Sequence, residues 1–152
     1  MNPPNTPFHG HNYSAFHAGE WKNLIQYAFN HPLIGKVRGK LFLKEPLKLT
    51  GMEVSFGVLP PGRGTPFLHS HRQNEELYVF VHGKGQLLVD GEVLDAQEGT
   101  VVRIAPDGAR AWRNNSTEDL HYIVIQAKAG SLDKGTITDG AELPGSPVWG
   151  DA

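Results

Sequence analysis

Pro66-Phe67-Leu68-His69-Ser70-His71 stands just ahead of Asn74-Glu75-Glu76-Leu77-Tyr78-Val79-Phe80, and these two runs decide how the chain is read. In an extended segment, side chains two residues apart point to the same side. His69 and His71 therefore face one way, and a carboxylate, Glu75 or Glu76, follows at the head of an alternating strand. Two imidazoles and one carboxylate converging on a point form the ligand set of a divalent metal: Zn, Fe, Mn or Ni.

Outward from this stretch the pattern is β. The predicted strands are Val37–Leu43, Met52–Leu59, Glu76–Val81, Gln86–Val89, Glu92–Leu94, Val101–Ile104, Ala109–Arg113 and Tyr122–Ala127. Pro60-Pro61-Gly62, Asp90-Gly91 and Pro106-Asp107-Gly108 separate them as turns, and short strands so spaced imply a sandwich or barrel. Glu20 to Asn30 reads as a short helix or a strand pair, ended by His31-Pro32. Residues 1–18, rich in Pro, Asn, His and Gly, read as a flexible arm; their His9-Gly10-His11 lacks a neighbouring carboxylate and is taken as part of that polar tail. Residues 130–152 read as an irregular tail pinned by Trp149, which leaves residues 19–129 as the domain.

Composition sets the outer bounds. A chain of 152 residues suits one domain, burying roughly 68–70% of its unfolded surface. A net charge of −2 offers no footprint for nucleic acid or an anionic membrane. No apolar run is long enough to span a bilayer, and the N-terminus lacks the basic start and apolar stretch of a secretory signal. The absence of Cys removes disulfides and thiolate ligands and agrees with a cytoplasmic setting. The glycine-rich turns Gly83-Lys84-Gly85 and Pro61-Gly62-Arg63-Gly64 precede no helix and carry no Gly-Lys-Ser/Thr end, so they are not phosphate loops.

Residues 50–127 resemble the cupins, small jelly-roll barrels, also described as double-stranded β-helices. The resemblance implies an all-β barrel with irregular N- and C-terminal extensions. The family's first motif runs Gly, five residues, His-x-His, three or four residues, Glu, six residues, Gly. His69-x-His71, Glu76 and Gly83 match it, whereas Gly62 and Gly64 flank the opening position; Glu75 would displace the closing Gly, so the ligand role falls to Glu76. The second motif, counted from Gly99, places a His slot at residue 110 and an Asn slot at 114; Asn114 is present, but residue 110 is Arg. The run Arg103 to Asn114 looks like a bacterial single-domain subgroup of undefined function.

An arginine has no lone pair to give a metal. The resemblance with this departure implies three metal ligands, His69, His71 and Glu76, beside the fixed cation Arg110. Such a pocket favours a small anionic molecule gripped by Arg110. Tyr78, on the strand face of Glu76, and Trp112, on that of Arg110, are expected to line it. If the barrel is an enzyme, proteins similar to it imply oxygenase, isomerase or decarboxylase chemistry. Glu75 or Tyr78 would then move protons, and no catalytic residue is assigned. The alternative uses the same residues: a metal-free ligand-binding or sensing barrel in which Arg110 pairs with Glu76. His82 and His121 are candidates for a further ligand but read better as surface or strand-end residues. A homodimer is expected, because cupin barrels pair through sheet edges; the arm with Trp21, Tyr27 and Phe29 supplies surface for it.

Overall fold

The computed structural model describes residues 5–150. It opens with a ribbon of β1 (Phe8–His9) and β2 (Ser14–Ala15), followed by a 3-10 helix, Trp21–Gln26. The hairpin β3 (Ala28–His31) and β4 (Gly35–Arg38) comes next, then β5 (Lys40–Phe42) and a one-turn helix α1 (Lys44–Leu47). The remaining strands are β6 (Glu53–Leu59), β7 (Asn74–His82), β8 (Lys84–Val89), β9 (Glu92–Gln97), β10 (Val101–Ile104), β11 (Arg110–Arg113) and β12 (Leu120–Lys128).

Two antiparallel sheets build the jelly-roll barrel. One runs β10-β7-β12-β6-β5, the other β11-β8-β9. Alternation along β7 and β12 sends Tyr78, Phe80, Leu120, Tyr122 and Val124 inward, where they meet Leu87 and Ala96 from the smaller sheet. Tyr78, Phe80, Leu87 and Leu120 are fully buried, and burying a large apolar side chain contributes about 1.5–3 kcal/mol. The Asp90-Gly91 turn between β8 and β9 has φ of +49° and +87°, the left-handed pair that a tight two-residue hairpin requires.

The strand predicted over Val37–Leu43 is broken. Gly39 has φ +79°, and a Cβ there would stand 2.6 Å from the Val58 carbonyl oxygen. The chain turns from β4 into β5 at this point, so Arg38 pairs with Ala28 of β3 whereas Lys40 pairs with Gly57 of β6. The Glu20–Asn30 segment resolves into the 3-10 helix followed by β3, so both readings hold in part. Trp149 is 86% exposed and pins nothing; residues 131–150 form neither helix nor strand. No helix among the described residues is long and apolar enough to cross a membrane.

Candidate functional site

The loop between β6 and β7 carries both histidines. It is fastened to β11 by the paired bonds His69 N–H to Arg110 C=O (3.1 Å) and Arg110 N–H to His69 C=O (2.9 Å). Further bonds run from Thr65 N–H to Trp112 C=O, and from Asp107 N–H to His71 C=O. Glu76 enters from β7 between Ile104 of β10 and Gln126 of β12. One donor atom from each of His69, His71 and Glu76 lies within 4.8 Å of the others. The three predicted metal ligands therefore come together on one wall of the barrel.

Glu76 is 4% exposed and both its oxygens are engaged. Oε1 is 2.8 Å from His71 Nε2. Oε2 accepts from the Tyr78 hydroxyl at 2.8 Å and from Arg110 Nη2 at 3.1 Å. Burial and the Glu76 carboxylate hold the Tyr78 phenol well above its usual range, so it stays a donor. Burial, then the Arg110 guanidinium, lower the His69 imidazole against the opposing pull of Glu76. His69 thus favours the neutral form that a metal requires, and its buried Nδ1 has no hydrogen-bond partner.

For Arg110 the alternative expectation holds: its guanidinium pairs with Glu76. It was expected to grip an anion in the pocket, yet it is 0% exposed and lines no part of the cavity. Its Nη1 donates to the Gly108 carbonyl at 2.7 Å and its Nη2 to Glu76. The backbone of residue 110 lies opposite His69, where the family's fourth ligand is expected, but the long side chain passes behind the site to Glu76. Glu75 also leaves the proton-moving role. Alternation turns it away from Glu76, and it pairs outside with Arg103 at 2.7 Å. His82 lies six residues along β7 from Glu76, about 20 Å away at the rise of a strand. His82 stacks near His121, whose Nε2 meets the Trp21 carbonyl at 3.1 Å, so neither joins the site. Asn114, the matched position of the second motif, is structural: its amide donates to the carbonyls of Leu59 and Glu118.

A cavity of about 560 Å³ opens from His69, His71, Glu76, Tyr78 and Trp112, the last two as predicted. Its far wall comes from the β3–β4 hairpin and β5, which the sequence reading did not connect with the site. His31 stacks on Phe67 with ring centroids 5.1 Å apart, and Phe29 meets Phe42 edge-on at 5.1 Å. Lys40 was missed altogether. Its Nζ lies 5.0 Å from the Tyr122 ring centroid and 5.7 Å from those of Phe42 and Trp112. Burial pushes its pKa down to about 8, although Glu76 and Glu53 pull upward. Gly57 makes this box possible, since a Cβ at that position would collide with the Tyr122 ring. The sequence signal beside Lys40 was Gly39, whose left-handed φ ends β4 and passes the chain to β6 as β5.

A cupin-domain family profile matches residues 55–126. A cupin protein from Bacteroides fragilis is 47% identical over 69% of this chain and 89% of its own, with a TM-score of 0.67. A putative sugar phosphate isomerase from Acidithiobacillus ferrooxidans is 24% identical over 59% of this chain and 58% of its own, TM-score 0.54. A predicted oxalate decarboxylase from Thermotoga maritima is 23% identical over 62% of this chain and 82% of its own, TM-score 0.54. At these identities the last two share the fold with this chain. No curated protein matches it.

Two outcomes are expected from the site. Arg110→His strips the buried Glu76 carboxylate of its guanidinium, and breaking one half of such a pair costs roughly 3–5 kcal/mol. Urea unfolding in metal-free buffer checks this, and a loss under 1 kcal/mol would contradict it. Lys40 has a folded pKa near 8 against 10.5 in the open chain. A protonated Lys40 therefore costs the folded state on the order of 3 kcal/mol below pH 8. The cost fades as pH climbs from 8 towards 10.5. Lys40→Met should accordingly be more stable than wild type at pH 7, with an advantage that narrows by pH 10. A difference that stays flat across that range would show the ammonium is not penalised.

Proposed function

Because the chain belongs to the cupin family, we propose that it binds one divalent metal through His69, His71 and Glu76 and holds a small organic molecule in the adjoining cavity. The observation that supports this most is the convergence of the three donors within 4.8 Å at the cavity wall. The donor set suits the group: two imidazoles and a carboxylate are ligands for Zn, Fe, Mn or Ni. The buried, unpartnered Nδ1 of His69 is a further mark of a site built around something more than protein. A metal bound there supplies Lewis-acid polarisation of a carbonyl or enolate oxygen, or, if it is iron, activation of O₂.

The chain's own residues do the rest. Arg110 and Tyr78 hold the far oxygen of Glu76, fixing the carboxylate's orientation and its charge. The apolar side chains of Phe29, Phe42 and Phe67 along the cavity wall exclude water from whatever the cavity holds. As an enzyme, the protein would be an oxygenase, an isomerase or a decarboxylase.

A second reading is favoured by one observation. With His71, Tyr78 and Arg110 all on Glu76, the carboxylate is satisfied without a metal. That is the arrangement expected of a metal-free binding or sensing barrel. Elemental analysis of untagged protein separates the two. The metal reading expects close to one divalent ion per chain, most of it lost in His71→Ala with the fold retained. Near-zero metal after growth with Fe, Mn, Zn and Ni would leave the metal-free reading in its place.

A two-fold homodimer is also part of the proposal. Trp21 and Phe29 are spent within the chain, on Phe56 and Phe42. The support is therefore the edge strand β9, on which Val93 is 59% and Leu94 37% exposed. Light scattering at micromolar concentration should give twice the chain mass; a monomer would refute the pairing.

A further inference from the structure

With Arg110 turned behind the site, the cavity needs another source of charge recognition, and Lys40 occupies the place. Lys40 is half-buried and lines the cavity. Among the described residues its Nζ makes no ion pair within 4.0 Å. The two carboxylates that pull on it are committed elsewhere. Glu53 Oε1 accepts the backbone N–H groups of Lys44 at 2.8 Å and Leu43 at 3.2 Å. Glu76 is held by Arg110, Tyr78 and His71. Arg38 also borders the cavity, but it is exposed, and water can hydrate its charge.

What surrounds Lys40 is aromatic: the faces of Tyr122, Trp112 and Phe42. Such faces favour a cation without neutralising it. An ammonium kept in an apolar pocket with no counter-ion is costly to the fold, and the cost is offset when an anion arrives. Lys40 is also connected to the candidate metal ligands through one ring. The Trp112 indole lies 5.7 Å from Lys40 Nζ and 6.0 Å from the His69 ring. A ligand lying along Trp112 reaches both.

We propose that Lys40 is the anion anchor of this cavity and that the ligand is a carboxylic acid with a flat, apolar body. The carboxylate pairs with Nζ, the body lies against Trp112 and Phe42, and the other end reaches His69, His71 and Glu76. This rests on reading the cavity as a ligand site, but the Lys40 pairing itself needs no metal.

The test uses 2-naphthoate and its uncharged counterpart 2-naphthamide as probes, titrated calorimetrically at pH 7 into the full-length protein as purified and after chelation. Naphthoate should bind at least about tenfold tighter than naphthamide in both preparations, the scale of one charge-assisted hydrogen bond. Lys40→Met should bring the two probes within about twofold of each other, the larger loss falling on naphthoate, whereas Lys40→Arg should keep the preference. Equal binding of the two probes by wild type, or no naphthoate binding, overturns the inference, and so does a naphthoate preference that survives in Lys40→Met. The wild-type comparison stands even if a variant fails to fold. A preference present in both preparations of a protein that holds no metal upholds the Lys40 anchor while the metal reading falls. One metal per chain with no preference has the opposite meaning.

Discussion

The buried carboxylate of Glu76 is the constraint on which the site depends. A carboxylate at 4% exposure is tolerable only if its charge and lone pairs are met. Here the far oxygen is met by Tyr78 and Arg110, which leaves the near oxygen turned to His71 and the cavity. That division explains why an arginine can occupy the position where a fourth metal ligand is expected. It braces the third candidate ligand from behind and leaves the oxygen that faces the cavity free of a guanidinium. It also explains why Arg110 is unavailable to a substrate, and why Tyr78 stays protonated beside a negative charge.

The cavity's second pole arises from a backbone event on the opposite side of the barrel. Gly39 turns the chain between β4 and β5, and Lys40 and Phe42 of β5 line the cavity. Lys40 then pairs in register with Gly57, and Tyr122 lies across that same glycine from β12. Without a side chain at residue 57 the tyrosine ring has room to lie against the ammonium. The site therefore has a wall of candidate metal ligands, a cationic wall and the Trp112 ring between them.

Much of this was legible in the sequence, for identifiable reasons. Period-2 alternation places Glu76 with Tyr78 on one face of β7, and the same reading of the loop ahead of it brings His69 and His71 together, as they are in the structure. Asp90-Gly91 requires a tight hairpin, and one forms there. Trp112 lies on β11 and lines the cavity, the face its spacing from Arg110 implied. Arg110 was placed on the correct face, and of the two partners the sequence offered it, a pocket anion and Glu76, it holds Glu76: backbone direction is local, whereas the end point of a long flexible side chain depends on which buried charge lies within reach. Lys40 was illegible because a charged residue in an alternating run reads as outward, and the break at Gly39, where the chain passes from pairing with β3 to pairing with β6, does not show in the alternation. The β3–β4 wall of the cavity was illegible for a related reason. Its hairpin contacts the site only through tertiary packing, as in the stacking of His31 on Phe67. Trp149 misled because a tryptophan in a tail suggests an anchor, and nothing in the barrel receives it.

The central claim is that one set of atoms binds metal while Arg110 keeps its hold on Glu76. Anomalous diffraction from crystals of the zinc-loaded protein tests it most directly. The account predicts a single strong peak about 2.0–2.2 Å from an imidazole nitrogen of His69, an imidazole nitrogen of His71 and one oxygen of Glu76. The Arg110 guanidinium should remain on the other oxygen. A peak elsewhere, such as at His9 and His11, or a bound metal with Arg110 swung out into the cavity, would contradict it.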